Sequence, residues 1–150
     1  ELKYFSKKIG SDCPFFIENK IKYVFGRGDK MEDINIDLDD KKIIIIIPEK
    51  SISTMEAYNN IKPKKPRVKL KEILENEPLE NWKNFIKNDF ETYAFLKIKE
   101  LKNIKNYINK LGAQFVSMTG SGSAIYGIFN KNTKIKDDKK YNLIISKVIT

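Results

Sequence analysis

The run Met-Thr-Gly-Ser-Gly-Ser at 118–123 places Gly120, Ser121, Gly122 and Ser123 directly ahead of an apolar stretch, Ala124–Phe129. Glycine costs backbone entropy and buries little surface, so something there needs bare backbone. A tight turn between two strands would explain it. So would a loop that lets an anion approach backbone N–H groups. A second chemically interesting stretch, Ile-Gly-Ser-Asp-Cys-Pro-Phe-Phe at 9–16, holds Asp12 between Gly10 and Pro14. An Asp so placed commonly closes a turn. A carboxylate held near a transferring phosphoryl group can also take or orient a hydroxyl proton. Tyr58 can stack on a ring or pack at the rim of a core. Gly26-Arg27-Gly28-Asp29 reads best as a glycine loop between strands.

These residues need elements to carry them. Leu2, Phe5 and Ile9 recur on one helical face that Gly10 closes. Phe15, Ile17, Ile21, Tyr23 and Phe25 suggest two short strands about a turn at 18–20. Ile34, Ile36 and Leu38 alternate as in an edge strand. Ile43–Ile47 reads as a strand covered on both faces, ended by Pro48. Ser53 is placed to cap a short helix, with Glu56 completing a capping box, and Pro63 and Pro66 end it. Leu79, Trp82, Phe85, Ile86 and Phe90 sit at helical spacing, with Trp82, Phe85 and Phe90 read as core. Leu101, Ile104, Ile108 and Leu111 define a further helix closed by Gly112. Strands at 113–118, 124–129 and 141–150 complete an α+β pattern: an antiparallel sheet with helices on one face.

The chain has 150 residues, room for one domain or for a small domain and part of another. Its apolar content of 41% supports a packed core. No apolar run approaches the ~18 residues of a membrane span. A lone Cys13 cannot form an internal disulfide, which fits a reducing cytoplasm. The net charge of +9 raises the question of nucleic acid. Yet 27 of the 29 basic residues are Lys, scattered along the chain, and bidentate recognition belongs mostly to Arg; no nucleic-acid partner is expected. With no His, acid–base work near neutral pH falls to carboxylates or lysines. The chain opens without Met, and its start looks internal to a longer protein.

The order IGSDCPFF, GRGD, the apolar strand into SISTMEAY, NDFE and LGAQFVSMTGSGSAIYGIF resembles the GHMP kinase superfamily over nearly the whole chain. It is most similar to the branch that phosphorylates a cytidine-diphosphate-linked methylerythritol in isoprenoid precursor synthesis. The resemblance implies a ferredoxin-like C-terminal domain over 41–150, preceded at 1–40 by the tail of a ribosomal-S5-like N-terminal domain. It implies that Asp12 is the catalytic base or orienter. It assigns Thr119, Gly120, Ser121, Gly122 and Ser123 to a motif beside the phosphate and substrate pocket, and Tyr58 to stacking on cytosine. It implies ATP and Mg2+ as cofactors, no protein-held metal site, and a small-molecule substrate without a membrane. The family's earlier PxxxGLGGGSS-type loop around the ATP phosphates, and an N-terminal lysine that contacts substrate, are not among these residues. The chain therefore reads as the C-terminal part of such an enzyme, inactive in isolation. Two other readings are another GHMP kinase, acting on mevalonate, homoserine or a sugar, and a ferredoxin-like RNA-binding module without catalysis.

Overall fold

The computed structural model describes residues 2–10, 13–18, 20–62, 69–136 and 140–147. The chain divides into two compact units, one running to Leu38 and the other from Asp39 to Ile149.

The first unit holds helix α1 (Leu2–Ile9), helix α2 (Cys13–Glu18) and a hairpin of β1 (Lys22–Phe25) and β2 (Lys30–Asp33). The strand expected at Phe15 and Ile17 is helical instead. Pro14 lies in the first turn of α2, where its fixed φ suits a helix and its missing N–H costs no bond. Ile34, Ile36 and Leu38 do alternate half-buried with exposed neighbours, but they belong to neither sheet. Alternation thus reports burial there, not ladder pairing. The Gly26–Asp29 segment is the hairpin turn, with Gly26 and Gly28 at φ 71° and 87°.

The second unit is built on a four-stranded antiparallel sheet of β3 (Lys41–Ile46), β4 (Phe115–Met118), β5 (Ile125–Asn130) and β6 (Leu143–Lys147), in the spatial order β4-β5-β3-β6. Between β3 and β4 run α3 (Thr54–Asn59), α4 (Leu70–Asn76), a 3-10 turn (Leu79–Asn81), α5 (Trp82–Phe85), α6 (Glu91–Lys97) and α7 (Glu100–Lys110). Numbered within the unit the strands lie 2-3-1-4, the order of a split β-α-β unit. This is the α+β, ferredoxin-like architecture expected. Between β5 and β6 the described residues form turns and irregular chain.

The core lies between sheet and helices. Ile44, Leu101, Ile104, Ile108, Ile125 and Phe129 are completely buried. Leu101, Ile104 and Ile108 recur at three- and four-residue spacing and turn one face of α7 onto β4 and β5. That approach needs Gly127, where an added Cβ would come within 2.3 Å of Ile108 Cγ2. Gly112 ends the helix at φ 95°. Two expectations give way. Ile44 and Ile46 are buried but Ile43 and Ile45 are half-buried, so β3 is fully covered on one face only. The apolar spacing at 79–90 is not one helix: α5 is a single turn ended by Ile86 N–H on Trp82 O. Trp82 stays buried while Phe85 turns outward, 51% exposed.

Candidate functional site

Strand β4 is buried along its length and delivers the chain to the Gly/Ser loop at Met118. Thr119 N–H donates to Ala124 O at 2.9 Å, and Gly122 N–H donates to Thr119 O at 2.9 Å. The loop is thus a closed turn, as one sequence reading held. The N–H groups of Gly120, Ser121 and Ser123 have no partner among the described residues. Gly120 and Gly122 lie at φ 45° and 102°, which L side chains adopt only under strain. A Cβ on Gly122 would stand 2.9 Å from Met118 Sδ, whereas one on Gly120 would meet nothing within 4 Å. Ser123 Oγ is buried without a hydrogen-bond partner among the described residues. Such a group commonly marks a place where a water, ion or ligand completes the structure.

Side chains from the segment before and within α6 hold this loop. Asn88 Nδ2 donates to both Met118 O, at 2.9 Å, and Gly120 O, at 2.8 Å, while its Oδ1 accepts from Phe90 N–H at 3.0 Å. Glu91 is 5% exposed, and its Oε1 accepts from Met118 N–H at 3.0 Å. Lys105 of α7 donates to both Glu91 oxygens, at 2.8 and 2.6 Å. A buried carboxylate needs such a partner. Burial raises the Tyr126 phenol above its ordinary range, and the neighbouring Glu91 charge pushes it further.

Helix α3 begins at Ser53, whose Oγ accepts from Glu56 N–H at 3.1 Å, the cap expected. The expected capping box is not completed: among the described residues the Glu56 carboxylate has no bond to Ser53 N–H and turns instead to α6, accepting from Tyr93 Oη at 2.6 Å and pairing with Lys97 at 3.0 Å. The Tyr93 hydrogen bond, and then Lys97, hold Glu56 below the usual carboxylate range. Thr54 Oγ1 lies 3.4 Å from Ser121 Oγ, so the first turn of α3 touches the loop. Tyr58, one turn on, is 60% exposed and meets Phe90 edge-to-face at 5.0 Å. Beyond it a cavity of about 430 Å³ is lined by Asn60, Lys62, Lys87, Asp89 and Thr92, among others.

The structure therefore brings Tyr58 and residues 119–123 into one connected neighbourhood, through Thr54, Asn88 and Phe90. Asp12 lies outside the described residues. Sequence alone gives Asn88, Glu91 and Lys105 no role; the first two fall in the NDFE stretch of the family pattern, and Lys105 carries no signal. Among the described residues no three His, Cys, Asp or Glu side chains gather as a metal site.

Residues 70–142 match the family model described as GHMP kinases C terminal. Among curated relatives, 4-diphosphocytidyl-2-C-methyl-D-erythritol kinase of Parabacteroides distasonis is 35% identical over 95% of this chain and 52% of its own length. The enzyme of that name from Azobacteroides pseudotrichonymphae is 41% identical over 87% of this chain and 49% of its own. A crystal structure of 4-(cytidine 5'-diphospho)-2C-methyl-D-erythritol kinase superposes with TM-score 0.69 at 25% identity, covering 85% of this chain and 47% of that one. Homoserine kinase from Cytophaga hutchinsonii shares the fold, with TM-score 0.65 at 14% identity over 99% of this chain and 58% of that one. The chain spans about half the length of the curated relatives it matches.

Proposed function

We propose that this chain is the C-terminal part of an ATP-dependent kinase that phosphorylates a hydroxyl of 4-diphosphocytidyl-2-C-methyl-D-erythritol, in the methylerythritol phosphate route to isoprenoid precursors. On this reading residues 1–40 end an N-terminal domain and 41–150 form the C-terminal one. The observation that carries it is the Thr119–Ser123 loop, whose N–H groups at Gly120, Ser121 and Ser123 have no partner among the described residues and adjoin the helix bearing exposed Tyr58. Unbonded N–H groups in a glycine turn suit phosphate oxygens. An exposed aromatic suits a cytosine ring, with stacking worth roughly 1–3 kcal/mol. The names of the relatives support the same substrate.

On this reading Asp12 takes or orients the proton of the attacking hydroxyl. The loop holds phosphate oxygens, and Tyr58 fixes the base so that the hydroxyl is presented in line. ATP would supply the phosphoryl group, and Mg2+ brought with it would offset negative charge; magnesium is commonly held by substrate phosphates rather than by an all-protein cage.

The test is steady-state kinetics of the complete gene product with ATP and the cytidine-diphosphate substrate. Asp12→Asn is expected to lower kcat at least about 10²-fold, with KM and melting temperature little changed. A normally melting variant that keeps turnover within about threefold, against that general-base scale, removes Asp12 from the mechanism. Mevalonate turned over in place of the cytidine substrate would point to another GHMP kinase. The 150-residue chain alone is expected to be inactive, because phosphoryl transfer needs both reactants positioned; ATP-dependent phosphorylation by it would overturn this.

A further inference from the structure

We propose that Asn88 is a positioning residue that aims the Ser121 N–H at the phosphates of a nucleoside diphosphate and fixes the span from that N–H to the Tyr58 ring. The proposal rests on the function put forward above and adds a residue to it. In a trans peptide the C=O and the following N–H point in opposite directions within one plane. Asn88 Nδ2 holds Gly120 O at 2.8 Å, so the N–H of the same peptide unit, on Ser121, points away from Asn88. That N–H is one of the three loop donors with no partner among the described residues. The second hydrogen on the same amide holds Met118 O at 2.9 Å, so one side chain fixes the end of β4 and the turn of the loop together.

The other end of the Asn88 amide reaches the aromatic side. Its Oδ1 accepts from Phe90 N–H at 3.0 Å, and the Phe90 ring packs edge-on against Tyr58. The Thr54–Ser121 contact closes a circuit through the first turn of the helix that bears Tyr58. Glu91, on Met118 N–H, keeps the strand end from sliding. A base on Tyr58 and a phosphate on the Ser121 N–H would be held at a distance set by residues 88–90. A ligand with both groups uses this alignment; one with the base alone does not.

The experiment is calorimetric titration of the complete gene product with CDP and, separately, with cytidine, for wild type, Asn88→Ala and Asn88→Asp. Asn88→Asp keeps the acceptor to Phe90 N–H and loses the amide donors; Asn88→Ala loses both without adding charge. Both variants are expected to bind CDP about tenfold more weakly, the scale of one or two lost hydrogen bonds, and to bind cytidine as wild type does. Unchanged CDP affinity in Asn88→Ala overturns the proposal, since a drop confined to Asn88→Asp would be charge repulsion. Equal loss for CDP and cytidine also overturns it, as a general loosening of the domain. A wild type that binds neither probe removes the functional reading itself, and this proposal with it.

Discussion

The loops at Gly26–Asp29 and Thr119–Ser123 each contain two glycines at positive φ, 71° and 87° in the first, 45° and 102° in the second. The first closes on itself. Gly28 N–H reaches Phe25 O, Arg27 N–H reaches Asp29 Oδ1, and that backbone bond is the main reason the Asp29 carboxyl sits below its usual range. The second is held from outside, by Asn88 on its carbonyls and by Glu91 on the strand that feeds it. Its N–H groups at Gly120, Ser121 and Ser123 have no partner among the described residues. Glycine content and torsion angles are alike in the two, so neither marks a site. What separates them is what grips them: the first is tied by bonds among residues 25–29, while the second, besides its own Gly122–Thr119 bond, is held at Gly120 O by Asn88 from another segment.

The sharpest way to break this comparison is Gly122→Val in the complete gene product. A branched side chain at φ 102°, with its Cβ 2.9 Å from buried Met118, must displace the loop. Turnover is expected to fall by about 10²-fold, the scale of an ångström of misplacement; kinetics within twofold of wild type would show that the loop does not face the reactants. Next comes Lys105→Met, which leaves the Glu91 carboxylate buried without its cation. Denaturant unfolding is expected to report a loss of about 3 kcal/mol. Gly120→Ala tests the other half of the same turn. With open space around the new methyl, only the strained torsion remains, about 1 kcal/mol. A larger loss than for Gly122→Val would reverse the assignment of which glycine is sterically required.

Smaller effects come from exposed groups. Glu56 has a folded pKa below its ordinary value of 4.5, so its contacts with Tyr93 and Lys97 stabilise fully above that range. They are lost as pH falls through the depressed value. The melting-temperature gap between wild type and Glu56→Gln is therefore expected to close on acidification below about pH 4; a gap that widened would give the linkage the wrong sign. Asp29→Ala, in the self-closed loop, is expected to move the melting temperature least of the set.

Much of the second unit was legible because its signals are strong and local. The α7 pattern at Leu101, Ile104 and Ile108, the Ser53 cap and the isoleucine strand each follow from spacing or a single side-chain bond. Residues 13–18 were misread because Phe15 and Ile17 fit a strand period, while Pro14 starting a helix is a subtler cue. Phe85 reads as core because it stands three residues after Trp82, but it is the last residue of single-turn α5 and is 51% exposed. In the candidate site, the loop stands out by its glycines and serines, while Tyr58 is assigned by the family resemblance. Asn88 and Lys105 could not be found from residue type, because their partners are backbone atoms and side chains up to about thirty positions away, and no spacing rule encodes that.

Strand β3 sits between β5 and β6, and its register partner for Ile44 is Gly127, some eighty residues later. On a ribosome adding ~5–20 residues per second, Ile43–Ile47 waits on the order of ten seconds before the strand that covers one of its edges has been made. Through that interval an uncharged run of β-branched side chains offers two open edges to any other extended chain, the usual hazard of such segments. The β4–β5 hairpin, by contrast, closes within microseconds of its synthesis, since its partners are neighbours in sequence. The glycine loop can thus take shape before the sheet exists, while the isoleucine strand emerges early and is sheltered late.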